Sequence, residues 1–120
     1  DIYGSTSMDD VLTYLKSEYS QHAIEYFQSN FEGEIIGKIQ ENNFDALVIN
    51  PGAFTHYSYA IADALKNLRK PKIEVHISNI YQREEFRQKS VTAAYTDAVL
   101  SGFGTEGYRL AIIHLISTMQ

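Results

Sequence analysis

Apolar and polar positions follow two rhythms along this chain, and the switches between them mark its elements. Met8, Val11, Leu12, Leu15 and Tyr19 recur at helical spacing. Ser7 is placed to cap the free amides of that helix, and Asp10 puts negative charge in its first turn, where the helix dipole favours it. Gln21 and His22 end the pattern. Residues 23–29, with Ile24, Tyr26 and Phe27, are rich in β-formers and predict a strand. Asn30 is placed to cap a second helix with Phe31, Ile35, Ile36 and Ile39 as its stripe, stopped by Asn42 and Asn43. Ala46, Leu47, Val48 and Ile49 then form a short continuous apolar run of the kind found in buried parallel strands, ended by Asn50, Pro51 and Gly52. A third helix covers residues 58–68, with Ala60, Ile61, Ala64, Leu65 and Leu68 on one face, until Lys70 and Pro71 break it.

Residues 73–87 organise the rest. Strict alternation sends Ile73, Val75 and Ile77 to one face of a strand and Glu74, His76 and Ser78 to the other. The following stretch reads as a short helix on which Arg83 and Arg87, four apart, share a face. After a looser piece around Ser90, Val91 and Thr92, residues 97–100 predict another strand, ended by Gly102. The last helix, residues 105–119, is apolar on most sides through Leu110, Ala111, Ile112, Ile113, Leu115 and Ile116, as expected of a doubly covered or subunit-facing helix.

The order is therefore α-β-α-β-α-β-α-β-α, which predicts one α/β domain with a parallel sheet and helices on both faces. Such folds normally open on a strand, and this pattern opens on a helix. In the flavodoxin-like, doubly wound order 2-1-3-4-5 the first strand is central. The expectation is that this strand and part of a lid loop lie upstream of Asp1, outside the sequence.

Composition narrows the function. With 120 residues the chain fits a single domain that buries about two-thirds of its unfolded surface. No apolar run approaches the ~18 residues of a membrane span, and none reads as a signal peptide. A formal charge of −5, with Lys and Arg scattered, argues against nucleic acid as a partner. The absence of Cys excludes disulfides and thiolate chemistry and fits a reducing compartment such as the cytoplasm. The four histidines have no zinc-ligand spacing, so no metal is expected.

Open α/β sheets bind ligands at the carboxyl ends of their strands. Those ends carry Ser29 and Asn30; Asn50, Pro51 and Gly52; His76, Ile77 and Ser78; and Gly102, Phe103 and Gly104. Glu74 beside His76 is the sharpest pair: a carboxylate favours the charged ring and fixes its orientation, which suits a general acid, although a histidine merely satisfied at a strand end has the same sequence. His56 is placed to meet a substrate hydroxyl or to act as a loop residue, while His22 and His114 read as structural helix residues. Arg83 and Arg87 are candidates to clamp anionic oxygens, with surface pairing to Glu84 and Glu85 as the alternative. Gly102, Gly104 and Gly107 match G-x-G-x-x-G. A dinucleotide unit needs a further strand with an acidic residue about 20 positions on, so the glycines are assigned instead to a tight turn and close helix packing.

Taken together, Ile2-Tyr3-Gly4, Phe27-Gln28-Ser29-Asn30 with Glu32-Gly33-Glu34, Ile49-Asn50-Pro51-Gly52 with Thr55-His56, Glu74 to Ile80, Arg83 to Arg87 and Gly107-Tyr108 resemble type II 3-dehydroquinate dehydratase along essentially the whole chain. The resemblance implies reversible anti elimination of water from 3-dehydroquinate to 3-dehydroshikimate through an enolate, a step of the shikimate pathway to aromatic amino acids, without cofactor, metal or Schiff-base lysine. It assigns Tyr3 as the base, as a tyrosinate whose ordinary pKa near ~10 must be lowered by cations, with Arg83 one candidate. It assigns His76 as the acid, Glu74 as its orienter, Asn50, His56 and Arg87 as substrate contacts, and the backbone amides of Ile77 and Ser78 as a carboxylate cradle. Asp63 matches a residue that reaches a neighbouring subunit's site, in a family of dodecamers built as tetramers of trimers. The family's upstream segment, with an asparagine for the enolate water and an arginine beside the tyrosine, is not in this sequence, and a chain truly lacking it is expected to be inactive. The competing readings are a flavodoxin-like binding module, whose flavin, phosphate or acidic receiver signature is missing here, and an inactive fragment that serves assembly.

Overall fold

The computed structural model of the protein describes residues 7–119, so Tyr3 lies outside the described residues. At its centre is a parallel sheet in the order β1-β2-β3, formed by Leu47–Ile49 (β1), Lys72–His76 (β2) and Ala98–Ser101 (β3). Leu47, Val48 and Ile49 pair with Lys72, Ile73 and Glu74, while Ile73 through His76 pair with Ala98 through Ser101. The helices are α1 (Met8–Glu18), α2 (Glu32–Glu41), α3 (Tyr59–Asn67) and α4 (Glu106–Thr118).

The strand alternation decides which residues meet. Ile49 and Leu47 pack with Ile39 of α2 and with Ile61, Ala64 and Leu65 of α3, so these helices cover one face. Ile73 and Val75 of β2 pack with Ala111 and Leu115 of α4, and Val48 joins them, so α4 covers the other. Glu74 and His76 consequently emerge on the face opposite α4. Close approach of α4 requires Gly107: a Cβ there would lie 2.9 Å from Val75 Cγ1. Gly102 and Gly104 have positive φ of 97° and 60° in the turn after β3. Both uses of the glycine motif match the turn-and-packing reading.

Local signals account for three of the helix ends. Ser7 and Asp10 form a reciprocal capping box on α1. Ser58 caps α3, its hydroxyl accepting the Ile61 amide at 3.0 Å. Asn42 ends α2 in the left-handed conformation, φ 53°.

Several expectations are corrected. Residues 23–29 form no strand, because a strand exists only by pairing and no described strand lies beside them; they border a groove of about 870 Å³ that runs along β1. The cap of α2 is Phe31, 68% exposed, rather than Asn30; the nearby hydroxyl of Ser29 accepts the Phe31 amide and donates to the Glu34 carboxylate. Ala60 is exposed, and His22 lies in the turn beyond α1. The stretch expected as one helix carrying Arg83 and Arg87 is instead two 3-10 turns, Ile80–Gln82 and Glu85–Arg87, with Arg83 extended between them at ψ 179°. Asn79 accepts the Tyr81 amide and the Arg83 amide closes on Ile80, which completes the first turn before an α-helix propagates. A further 3-10 turn, Ala93–Tyr95, precedes β3, and another, Gly52–His56, follows β1.

Candidate functional site

A cleft of about 500 Å³ opens at the carboxyl end of the sheet, lined by Asn50, Gly52, Ala53 and His56 after β1, by His76 at the end of β2, and by Ile77, Ser78, Arg83 and Arg87 after it. That volume lies within the range of small-molecule sites. The fold thus brings together the sequence candidates Asn50, His56, His76, Ile77, Ser78, Arg83 and Arg87, with Glu74 directly behind His76. Asp63 stands exposed on α3 and does not line the cleft.

The floor is buried. Glu74 is 0% and His76 4% exposed, and their side chains meet at 2.6 Å between Oε2 and Nε2. An ionised carboxylate only accepts, so Nε2 carries the proton and Nδ1 is the nitrogen left for a ligand. A buried carboxylate is costly unless donors surround it, and here they do. Thr55 and Ser90 donate to Oε2 at 3.2 and 3.1 Å, and Thr92 donates to Oε1. Burial alone pushes the Glu74 carboxyl up, yet the hydrogen bonds from His76, Thr92 and Ser90 and the charge of His76 prevail and hold it below its ordinary value.

The β1 side of the cleft is set by Asn50. Its Oδ1 accepts the Gly52 amide at 2.9 Å, forming a tight turn, and its Nδ2 donates to the Tyr108 hydroxyl at 2.8 Å. Burial raises the Tyr108 phenol above its ordinary value, only partly offset by Asn50 and reinforced by Tyr26, so it stays neutral and serves as a fixed anchor. His56 donates from Nδ1 to the Lys89 carbonyl at 2.7 Å, which leaves Nε2 available to the cleft.

The rim is of another kind. Arg83 donates to the Ser78 hydroxyl, and the Gln88 side chain donates to the Arg83 carbonyl at 2.7 Å. Arg87 pairs with Glu84 at 3.3 Å and lies 5.3 Å from the Phe86 ring centroid. The surface pairing considered for Arg87 is therefore formed, while both arginines still line the cleft. Among the described residues no group of three or more His, Cys, Asp or Glu is arranged to hold a metal ion.

Sequence reading assigned no role to Thr55, Ser90, Thr92 or Tyr108. One signal was available: a Glu at a strand position flanked by Ile73 and Val75 requires buried donors. Which hydroxyls answer that need is decided by the fold, since positions 55, 90 and 92 share no sequence spacing with 74.

Comparison with known proteins gives a consistent answer. A family model described as Dehydroquinase class II matches residues 1–116. A 3-dehydroquinate dehydratase of Thermotoga neapolitana is 54% identical over 114 residues, covering 93% of this chain and 79% of that protein. One from Caldicellulosiruptor bescii is 53% identical over 120 residues, covering 96% and 83%. The crystal structure of a type II dehydroquinase from Butyrivibrio crossotus superposes with a TM-score of 0.85 at 48% identity, covering 95% of this chain and 83% of that one. A second, from Propionibacterium acnes, gives 0.84 at 40% identity, covering 96% and 82%. A fold and a motif set shared at this level of identity place the chain in the class II dehydroquinase family.

Proposed function

We propose that this protein is a 3-dehydroquinate dehydratase, a hydro-lyase that removes water from 3-dehydroquinate by anti elimination through an enolate to give 3-dehydroshikimate. The observation that carries the reading is the buried His76–Glu74 pair on the floor of a polar cleft in a chain of this family. Elimination needs a base for the α-proton, stabilisation of the enolate oxygen and an acid for the departing hydroxyl. His76, protonated on Nδ1, is the acid that turns hydroxide into water, and Glu74 orients it. Tyr3, outside the described residues, is the base, with Arg83 as a supporting cation. Asn50, His56 and Arg87 bind substrate hydroxyls, and the amides of Ile77 and Ser78 hold the carboxylate. The neutral Tyr108 anchor supports the role of Asn50 by fixing its amide.

The same reading extends to the assembly and the cell. The exposed Asp63 reaches a neighbouring subunit's cleft in a dodecamer built as a tetramer of trimers. The enzyme works in the cytoplasm, in aromatic amino-acid biosynthesis; no described helix is long and apolar enough to cross a membrane. A further central strand, supplied from upstream, lies in the groove beside β1. Its support is that β1 pairs only with β2 among the described residues and that the groove is lined by apolar Leu12, Leu15, Ile112 and Ile116.

Incubating the intact protein with 3-dehydroquinate should raise ultraviolet absorbance as the conjugated enone forms. Borohydride added with substrate should leave activity intact, because no lysine imine forms. Absence of turnover, or inactivation by borohydride, would sink the reading.

A further inference from the structure

We propose that Thr55, Ser90 and Thr92 are positioning residues of the site: their hydroxyls hold Glu74 as a carboxylate in one orientation, and through it they fix the His76 ring with Nδ1 toward the ligand. The proposal rests on the dehydratase reading for its kinetic consequences, and on geometry alone for its structural ones.

The hydroxyls form a closed set. Thr55 Oγ1 lies 2.6 Å from Ser90 Oγ and 2.8 Å from Thr92 Oγ1, and Ser90 and Thr92 are 3.1 Å apart. Thr55 and Thr92 are both 0% exposed, so water does not substitute for these contacts. Ser90 Oγ also accepts the Ala93 amide at 3.0 Å, which directs its own proton away from that amide and toward its remaining partners. Each hydroxyl brings one proton, and the set ends on both oxygens of Glu74. A protonated Glu74 would add a donor where the surroundings already donate, so the arrangement selects the carboxylate.

The backbone makes the set rigid. Val91 donates its amide to the Thr55 carbonyl at 2.7 Å, tying the loop after the 3-10 turn Glu85–Arg87 to the turn Gly52–His56. Of the described groups facing Glu74, only His76, on its own strand, is titratable. The neighbouring turn and loop contribute neutral hydroxyls, and the paired positions on β1 and β3 are Ile49 and Val99. The His76 ring bonds to Oε2, while Thr92 holds Oε1, so rotation of the carboxylate would break both. Such holding of a reacting group's partner is how a buried polar network gives orientation rather than contact with substrate.

Thr92→Val keeps the shape and removes the donor, and Thr92→Ser keeps the donor. With the Glu74 carboxyl carbon-13 labelled in the intact protein, its titration midpoint should rise by about one pH unit in Thr92→Val, the worth of one hydrogen bond to a charged group, and return toward wild type in Thr92→Ser. In the enzyme assay Thr92→Val should lower kcat about tenfold with KM little changed, and the acid-side limb of kcat should move to higher pH. Ser90→Ala, at a less buried position, gives the same readout should Thr92→Val fail to fold. An unmoved midpoint in Thr92→Val or Ser90→Ala, or Thr92→Ser as impaired as Thr92→Val, would overturn the proposal. The carbon-13 midpoint requires no substrate, so loss of the dehydratase reading alone would leave this test standing.

Discussion

The floor and the rim of the cleft solve different problems. On the floor, Glu74 and His76 are buried, and the carboxylate is bonded by the ring and by neutral hydroxyls. At the rim, Arg83 and Arg87 are exposed, stand on 3-10 turns or between them, and bond to near neighbours in sequence. The floor residues come from strand, turn and loop segments far apart in the chain, so their geometry is over-determined. The rim residues are held by local contacts that a ligand is able to replace. An acid that must deliver a proton to one atom needs the first arrangement; cations that meet an anion arriving from water tolerate the second.

The largest expected effect follows from the floor. His76→Ala should reduce kcat by about 10²–10⁴-fold, the range for loss of a positioned general acid, with a smaller change in KM. A loss below tenfold would erase the distinction between floor and rim. The Glu74 carboxyl has a folded-state pKa below its ordinary 4.5, so its ionisation stabilises the folded state above that pH, and this contribution disappears as pH falls through the lower folded-state value. Glu74→Gln should therefore lose about 1–3 kcal/mol near neutral pH and show a flatter decline in stability on the acid side. Denaturant titrations at several pH values measure both; parallel curves for the two proteins would contradict the assignment.

The rim should respond more weakly and in another parameter. Arg87→Ala should raise KM about tenfold, the worth of one charge-assisted hydrogen bond, with kcat nearly unchanged and with less dependence of KM on salt. Smallest is Glu84→Gln, which releases Arg87 from an exposed pair at 3.3 Å and should change KM by no more than about twofold. A kcat effect from either substitution as large as that of His76→Ala would make the rim part of the chemical machinery.

The same contrast explains what was legible in the sequence. Strand alternation from Ile73 to His76 and the Ser7 cap of α1 depend on neighbours within a few residues, and both are found as read, whereas Ile77 and Ser78 lie beyond the end of β2. So is the close helix packing expected of the glycines, which the structure places at Gly107 against Val75. Residues 23–29 have strand composition but acquire strand structure only through a pairing partner, which is absent among the described residues. The 80–87 stretch has helical spacing, yet the Asn79 side chain and the early closure of Arg83 on Ile80 favour successive 3-10 turns. Among the residues of the cleft, Glu74, His76 and His56 stood out in the sequence by residue type, and Asn50 by its place at a strand end and by the family resemblance. Thr55, Ser90 and Thr92 were not, because a threonine or serine becomes informative only when folding sets it against a buried charge.

The central claim is that Glu74 and His76 act as one unit, with Glu74 working only through the ring it holds. A double-mutant cycle on kcat with His76→Ala, Glu74→Gln and the combined protein tests it most directly. The account predicts that the combined protein is within about twofold of His76→Ala alone, because a carboxylate with no ring to orient has nothing further to lose. Losses that multiply, so that the combined protein falls by the product of the two single effects, would show that Glu74 acts independently of His76 and would contradict the account.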